Sequence, residues 1–219
     1  MTQEKTREPR ERGRERRERI LDAAFTTFAE RGYRDTAIDD IAHGSDTSKG
    51  GVYFHFPTKE AIFRELMRTT ADRLDAKVAR AVADEPDPIT AAAIAIRTVL
   101  ETFAGHRRMA RLLYLDAFGA GRVFHDEVDR LHAQFAERIA GYLDRAAADD
   151  IIPPLDTRIA GQAWFGAMNE IVARWLMAEK PGRLLDAYPT LLALLLRSVG
   201  VTEETVAARL GDAGPEGAR

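Results

Sequence analysis

An all-α fold is the class that the sequence predicts, with a short helix-turn-helix near the N-terminus and a larger helical domain after it. Apolar residues recur at spacings of three and four along most of the chain, and no alternating strand pattern of useful length competes. Ser, Thr and Asp stand where helices would begin, and Gly or Pro where they would end. With 219 residues, 45% of them hydrophobic, the chain is long enough for two domains.

The first two helices are predicted over residues 14–31 and 36–43. Apolar residues at helical spacing define the first: Ile20, Leu21, Ala24, Phe25, Phe28 and Ala29. Gly32 should end it in a left-handed conformation. In the second helix Thr36 can cap the N-terminus, with Asp39 as its capping-box partner. Ile38 and Ile41 then share a core with Phe25, Phe28 and Val52.

A third helix is predicted over residues 47–53, because the side-chain oxygens of Asp46, Thr47 and Ser48 favour a helix start. Val52 is its inward anchor, while Gly50 and Gly51 remove side-chain bulk where a backbone must come close to a partner. The outward donors suit phosphate oxygens or base edges; they are Thr47, Ser48, Lys49 and Tyr53. Two short helices joined by so tight a turn must cross, and this geometry suits entry into a DNA groove.

Thr58 is expected to cap a longer helix that runs from Lys59 to about Ala83 and spans about 37 Å. Asp87-Pro88 is a cap followed by a first-turn proline, and it starts the next helix. Further helices are predicted near 89–104, 107–117, 122–148, 156–178 and 185–200. The domain boundaries that follow are 1–58 for the arm and helix-turn-helix, 59–84 for a connecting helix, 85–200 for the second domain and 201–219 for a flexible polar tail.

Composition excludes several classes of protein. There is no Cys, so disulfides and Cys-based zinc sites are excluded, and a reducing cytoplasm fits. The N-terminus lacks an apolar signal core and no run is long enough to span a membrane, so we expect a cytoplasmic protein with no membrane partner. Net charge is −3, but the first twenty residues hold eight basic and five acidic side chains. This basic arm can contact a DNA backbone or minor groove, or it can be the solvated start of a helix.

The residues of the predicted helix-turn-helix also carry a family resemblance. TxxxxIA from Thr36, SKGxxYxHF from Ser48 and then Thr58-Lys59-Glu60 resemble the N-terminal domain of the TetR family of bacterial transcriptional repressors, over roughly residues 16–66. The resemblance implies that residues 47–53 are a recognition helix in the major groove. It implies phosphate contacts from Thr36, Tyr53, His55 and Lys59. Because His55 stands between Phe54 and Phe56, we expect it to be a partly buried structural residue as well.

The chain departs from the family pattern in the turn and at Gly51. Ser45-Asp46-Thr47 replaces the usual Ala-Gly-Val, and Gly51 stands where many relatives have Ser or Thr. Asp46 tolerates the left-handed backbone that Gly usually adopts there, so we expect the fold to be kept and the base preference to differ.

The last two predicted helices indicate a homodimer. In residues 164–177 and 191–196 apolar groups occupy nearly the whole circumference of the helix, so both sides must be covered. A symmetric partner that forms a four-helix interface is the economical solution, and a central core helix of a monomer is the alternative. A dimer would also place two recognition helices about 34 Å apart, in successive major grooves of a palindromic operator.

A ligand site is predicted among aromatic and polar residues of the second domain. The candidates are Phe103, Arg107, Arg111, Tyr114, Leu115, Phe118, Trp164, Phe165, Met168, Asn169 and Trp175. Taken singly, each of these residues is more often packed core than the wall of a ligand site. Arg107, Arg108 and Arg111, together with the phrase AMNEIVARWL, resemble the fatty-acid-responsive branch of the TetR family. That resemblance implies acyl-coenzyme A effectors whose phosphates meet guanidinium groups, and a surface basic patch is the alternative.

No enzyme is predicted, because GxSxG, phosphate-loop and HExxH motifs are all absent from the sequence. His125, Asp129 and His132 share a helical face. Because this face lies beside the buried stripe and not within it, we expect it to be solvated and not to bind a metal. No cofactor is expected. We therefore predict a ligand-responsive repressor released from its operator by a hydrophobic small molecule. The alternatives are an inducer-independent DNA-binding protein and a metal-responsive helical protein.

Overall fold

The computed structural model of the chain describes residues 9–111, 114, 124–202 and 204–207, and within these ranges every regular element is a helix. The all-α prediction is therefore confirmed. The described residues fall into two compact units, the first within Met1–Thr70 and Arg111–Glu127, the second within Ala71–Ala110 and Val128–Arg219. Among them no helix is long and apolar enough to cross a membrane.

The first unit begins with α1 (Pro9–Asp35), α2 (Ile38–Gly44) and α3 (Lys49–His55), followed by the start of α4 (Lys59–Ala81). The first helix starts five residues earlier than predicted, so the basic segment from residue 9 onward is helical. Gly32 interrupts α1 with φ 81° and ψ 163°. The expected positive φ is present, but this ψ belongs to a region that is essentially restricted to glycine and is not the left-handed helix.

The predicted capping box of α2 is wrong by one residue. Ala37 is the N-cap, and its backbone N–H donates to the Asp40 carboxylate at 3.0 Å, so Asp40 and not Asp39 closes the first turn. Thr36 does not cap α2, because its hydroxyl donates to the carbonyl oxygen of Gly32 at 2.8 Å. The hydroxyl thus satisfies the backbone at the break in α1.

An aromatic cluster holds the first unit together. Its rings come from Phe28, Tyr33, Phe63 and Phe124, with neighbouring centroids 4.9 to 5.7 Å apart. Most of these pairs meet edge to face, the arrangement that aromatic quadrupoles prefer. Next to this cluster Arg68 forms a two-pronged ion pair with the buried carboxylate of Glu127, at 2.7 and 2.8 Å. Phe124 and Glu127 therefore fix the start of the following helix within the first unit.

The second unit contains α5 (Pro88–Gly105), α6 (Arg107–Arg111, whose last residue belongs to the first unit), α7 (His125–Ala148), α8 (Thr157–Met177) and α9 (Tyr188–Ser198). A 3₁₀ turn over Leu184–Ala187 leads into α9. The predicted cap at Asp87 is confirmed, since its carboxylate accepts from the backbone N–H of Thr90 at 2.9 Å. The C-terminal half of the predicted 107–117 helix lies largely outside the described residues.

A close approach of two helices organises this unit. A Cβ placed on Gly161 of α8 would lie 2.5 Å from the carbonyl oxygen of Ala136 in α7, closer than real Cβ atoms come. Only glycine allows the backbones to meet at this distance. Around this point the buried face of α8 consists of Gly161, Trp164, Met168, Val172 and Leu176.

Candidate nucleic-acid interface and ligand site

The third helix is built to present one face outward. Ser48 is its N-cap, accepting from the backbone N–H of Gly51 at 3.1 Å, and the helix runs from Lys49 to His55 and so starts and ends two residues later than predicted. Val52 is fully buried, as predicted. Asp46 in the preceding turn has φ 50°, which confirms that it takes the left-handed conformation usually left to glycine. The tight turn and the single anchor leave the opposite face of α3 exposed.

The two glycines of α3 differ in what they allow. A Cβ on Gly50 would meet nothing within 4 Å, so that position is open on the exposed side. A Cβ on Gly51 would lie 2.6 Å from the Thr47 methyl carbon and 3.3 Å from the capping hydroxyl of Ser48. A side chain at position 51 would therefore displace the Thr47 side chain next to the cap, whereas Gly50 offers bare backbone to an approaching partner.

Lys49 is held in place on the exposed surface. Its ammonium group bonds the carboxylate of Asp39 at 2.9 Å, and both side chains are more than half exposed. This hydrogen bond and the negative charge of Asp39 raise the pKa of Lys49. The pair joins the outward faces of α2 and α3, and it keeps a permanent positive charge at the first turn of α3.

Two residues expected to touch phosphates bond the protein's own backbone in this conformation. Thr36 is 2% exposed and its hydroxyl is bonded to Gly32. The ammonium group of Lys59 donates to the carbonyl oxygens of Tyr33, Arg34 and Thr36, at 2.9, 3.2 and 2.9 Å. It also lies 4.6 Å from the centroid of the Tyr33 ring. In this conformation the ammonium group of Lys59 caps the carbonyl oxygens at the C-terminal end of α1.

His55 lies at the end of α3 beside the basic part of α1. Burial lowers its pKa, and the positive charges of Arg16 and Arg17 lower it further. The guanidinium of Arg17 stacks over the ring of Phe56 at 4.9 Å and pairs with Glu65 at 2.7 Å. Both effects favour the neutral form of His55.

Phe54 was missed by the sequence reasoning. It is 85% exposed, on the same helix as Tyr53, which is 44% exposed. The signal was present in the sequence, since buried Val52 and Phe56 are four residues apart and the residue midway between them must point away from the core. An aromatic ring held out beside donor groups suits contact with thymine methyl groups.

The predicted ligand residues of the second unit are partly core. Phe103, Trp164 and Met168 are buried, and the indole N–H of Trp164 donates to Ser198 at 3.1 Å. Trp175 donates to the carbonyl oxygen of Gly182 at 2.9 Å. Arg107 stacks on the Trp175 ring at 5.3 Å and donates to the carbonyl oxygen of Leu176 at 3.1 Å, so it is engaged at the end of α8.

Of the predicted ligand residues, Phe165 and Asn169 have surroundings that suit ligand binding. The ring of Phe165 meets the imidazole of His132 at 4.8 Å, and burial lowers the pKa of that histidine. One turn along α8, the side-chain oxygen of Asn169 is buried, and among the described residues no donor reaches it. A buried acceptor without a donor is unusual in a folded protein.

Four other predicted ligand residues fall outside the described part of the second unit. Leu115 and Phe118 lie outside the described residues, and Arg111 and Tyr114 belong to the first unit. His125 and Asp129 are exposed while the His132 ring packs on Phe165, and the described ranges contain no group of three His, Cys, Asp or Glu suited to a metal ion.

Known proteins resemble the chain in sequence along most of its length. The sequence profile described as "Bacterial regulatory proteins, tetR family" matches residues 20–66. The HTH-type transcriptional regulator EthR of Mycolicibacterium smegmatis is 30% identical over 193 residues, which cover 83% of this chain and 87% of EthR. The fatty acid metabolism regulator protein of Bacillus subtilis is 25% identical over 186 residues, covering 82% of this chain and 93% of that protein.

Solved structures share the fold. FadR from Bacillus subtilis, crystallised with stearoyl-CoA, superposes with a TM-score of 0.76 at 22% identity, over 85% of this chain and 99% of FadR. FadR from Bacillus halodurans gives 0.75 at 22% identity, over 82% and 97% of the two chains. These relatives are transcriptional regulators and not enzymes, which agrees with the prediction that the chain is not an enzyme. The matched helix-turn-helix, and the length over which EthR aligns, establish that the chain belongs to the TetR family of bacterial regulatory proteins.

Proposed function

We propose that the chain represses transcription in the cytoplasm by binding a palindromic operator as a homodimer, and that a hydrophobic small molecule of the acyl-coenzyme A class releases it. The exposed face of α3 supports this most directly. Lys49, Tyr53 and Phe54 are exposed on that face, while Val52 buries the opposite face in the core. Thr47, Ser48, Gly50 and His55 complete the proposed contact surface.

Operator binding is tested with Lys49→Ala and Tyr53→Phe in gel shifts against duplexes that the protein selects from a random pool. Each variant should lose affinity while its circular dichroism stays that of the wild type, because both side chains are exposed. Lys77→Ala, a change of an exposed lysine on α4, is the matched control. Affinity equal to the control for both variants would refute the assignment of α3 as the recognition helix.

The homodimer would form through α8 and α9. Large apolar side chains remain exposed on these helices, with Ile159 at 55%, Met177 at 61% and Leu194 at 58%. Pro189, Thr190, Ala193, Leu194 and Arg197 line an open groove along α9. A second copy of the chain can cover these apolar side chains without burying unpaired backbone groups, whereas exposing them to water is unfavourable. Leu194→Glu should yield monomers in sedimentation, and a dimer that survives this change would contradict the assignment.

The effector is proposed from the second unit and from the relatives. The Bacillus subtilis FadR structure holds stearoyl-CoA. In this chain Phe165 offers an apolar wall, and the buried oxygen of Asn169 offers an acceptor for a ligand donor. An effector must prefer a conformer that fits the operator poorly, since only differential affinity can release DNA.

Thermal-shift titration with stearoyl-CoA and with free coenzyme A tests the effector class. A true effector raises the melting temperature by mass action and lowers operator affinity in the same concentration range. We expect stearoyl-CoA to do both and free coenzyme A to do neither. If no compound acts, the chain is better described as an inducer-independent DNA-binding protein.

A further inference from the structure

The basic part of α1 is an ordered helix in which arginine and acidic side chains form neighbouring rows. Residues 9–20 are helical, so side chains four and seven positions apart lie on one face. Arg12, Arg16 and Arg19 follow this spacing, and all three are exposed. Glu11, Glu15 and Glu18 follow the same spacing one position earlier, and Asp22 continues their row. The helix therefore has a basic strip (Arg12, Arg16 and Arg19) beside an acidic strip.

The side of α1 that carries the basic strip becomes buried toward the C-terminus of the helix. Ile20 is fully buried, and Arg16 stands one turn before it. Arg17, the next residue, stacks on Phe56 and pairs with Glu65. Because Phe56 directly follows α3, these contacts fix the basic part of α1 next to the C-terminal end of the recognition helix.

Electrostatics agree with this placement. The positive charges of Arg16 and Arg17 help to lower the pKa of His55, the last residue of α3. The guanidinium groups of the basic strip take no part in the ion pairs found among the described residues 11–111. They are therefore available to an external anion, whereas Arg17 is used to hold the helix in place.

We propose that the basic strip of α1 is a second DNA-contacting surface, which binds the phosphate backbone beside the groove that α3 enters. The inference rests on the proposed operator binding and adds to it a sequence-independent contact. Phosphates are the fitting partners because guanidinium groups bind them with paired hydrogen bonds and stay charged at all relevant pH values. A row of three charges along a straight helix suits a row of backbone phosphates and carries no base information.

The expected effect is a change in salt dependence. For duplex DNA the logarithm of the binding constant falls against the logarithm of salt concentration with a slope of about 0.9 per neutralised phosphate. Three phosphate contacts in each of two protomers would together contribute about 5 to the magnitude of that slope. Removing the strip should therefore flatten the salt dependence, and it should weaken binding to selected and random duplexes by the same factor.

The experiment compares three full-length proteins by fluorescence anisotropy, at salt concentrations from about 50 to 200 mM. They are the wild type, the variant Arg12→Gln/Arg16→Gln/Arg19→Gln, and the charge-matched control Arg73→Gln/Arg80→Gln/Arg183→Gln, whose residues are exposed in the second unit. The probes are a duplex that the wild type selects from a random pool and an unselected duplex of equal length. Gln keeps helix propensity close to that of Arg, so α1 should remain folded.

A slope reduced by about 3 to 5 in the strip variant but by less than about 1 in the control would support the proposal. Equal slopes in the two variants would overturn it while leaving operator binding intact. A wild type that selects no duplex would instead overturn the proposed function. If the triple variant unfolds, Arg16→Gln alone replaces it, with an expected loss of slope of about 2 and with no loss counting against the proposal.

Discussion

Replacing Lys59 by Met should destabilise the first unit, although the family resemblance implies that this lysine binds DNA. Its ammonium group makes three hydrogen bonds, to carbonyl oxygens 23, 25 and 26 residues earlier in the chain. The bonds to Tyr33 and Thr36 are partly buried, and the bond to Arg34 is exposed. A charged hydrogen bond contributes about 1.5 to 3 kcal/mol, less when exposed, and the contact with the Tyr33 ring adds about 0.5 kcal/mol. One ammonium group shares its charge among the three bonds, water can replace the exposed one, and methionine keeps the apolar stem. We therefore expect a net loss close to that of one charged bond plus the ring contact, about 2 to 4 kcal/mol.

Urea unfolding followed by two probes measures this loss. Both tryptophans, Trp164 and Trp175, lie in the second unit, so their fluorescence reports that unit, whereas far-ultraviolet circular dichroism reports both. Lys59→Met should move the dichroism midpoint further than the fluorescence midpoint. Lys77→Met, on the exposed face of the same helix, should move neither. If Lys59→Met unfolds like the control while its operator affinity falls, the reasoning is refuted and the lysine is a phosphate contact.

Three further predictions follow from local contacts. Gly161→Ala should cost about 1 to 3 kcal/mol in urea unfolding, because its Cβ would force α7 and α8 apart at the carbonyl of Ala136. Asn169→Leu should raise the free energy of unfolding by about 1 kcal/mol, by removing a buried acceptor without a donor, and should weaken the thermal shift given by stearoyl-CoA. Operator affinity should rise as pH falls from about 8 to 6, because a nearby phosphate would raise the low pKa of His55, so that binding takes up a proton. His55→Gln should remove that pH dependence in anisotropy titrations.

Local rules account for what the sequence predicted well. Ser48 caps α3, Asp46 turns left-handed and Asp87 starts α5, and each depends on bonds spanning at most a few residues. Such contacts are decided by side-chain chemistry at fixed spacing, which a sequence displays. The positions of Val52 and Phe56 likewise follow from the period of a helix, and the exposure of Phe54 could have been found in the same way.

Competition between neighbours and distant partners explains what the sequence did not predict. Asp39 and Asp40 are chemically identical candidates for the capping box, and the choice depends on whether Thr36 or Ala37 begins the helix. That choice depends on Gly32, whose unusual ψ brings a carbonyl oxygen to the Thr36 hydroxyl. Arg107, predicted to line a pocket, donates to the carbonyl oxygen of Leu176 at the end of α8, 69 residues later in the chain. Partners so far apart in sequence leave no spacing to recognise.

The positive charge around α3 is divided between two tasks, and this division bears on how the protein would hold DNA. Lys59 and Arg17 are turned to the protein, where one closes the end of α1 and the other joins α1 to Phe56 and Glu65. The Thr36 hydroxyl bonds Gly32, so two of the residues that the family resemblance implies as phosphate contacts are occupied within the protein in this conformation. A chain of net charge −3 gains little general attraction to a polyanion, so the missing contacts have to be replaced locally. Lys49 on α3 and the proposed basic strip on α1 are exposed cations suited to replace them, and the seven-residue helix would then need to supply only the reading of bases.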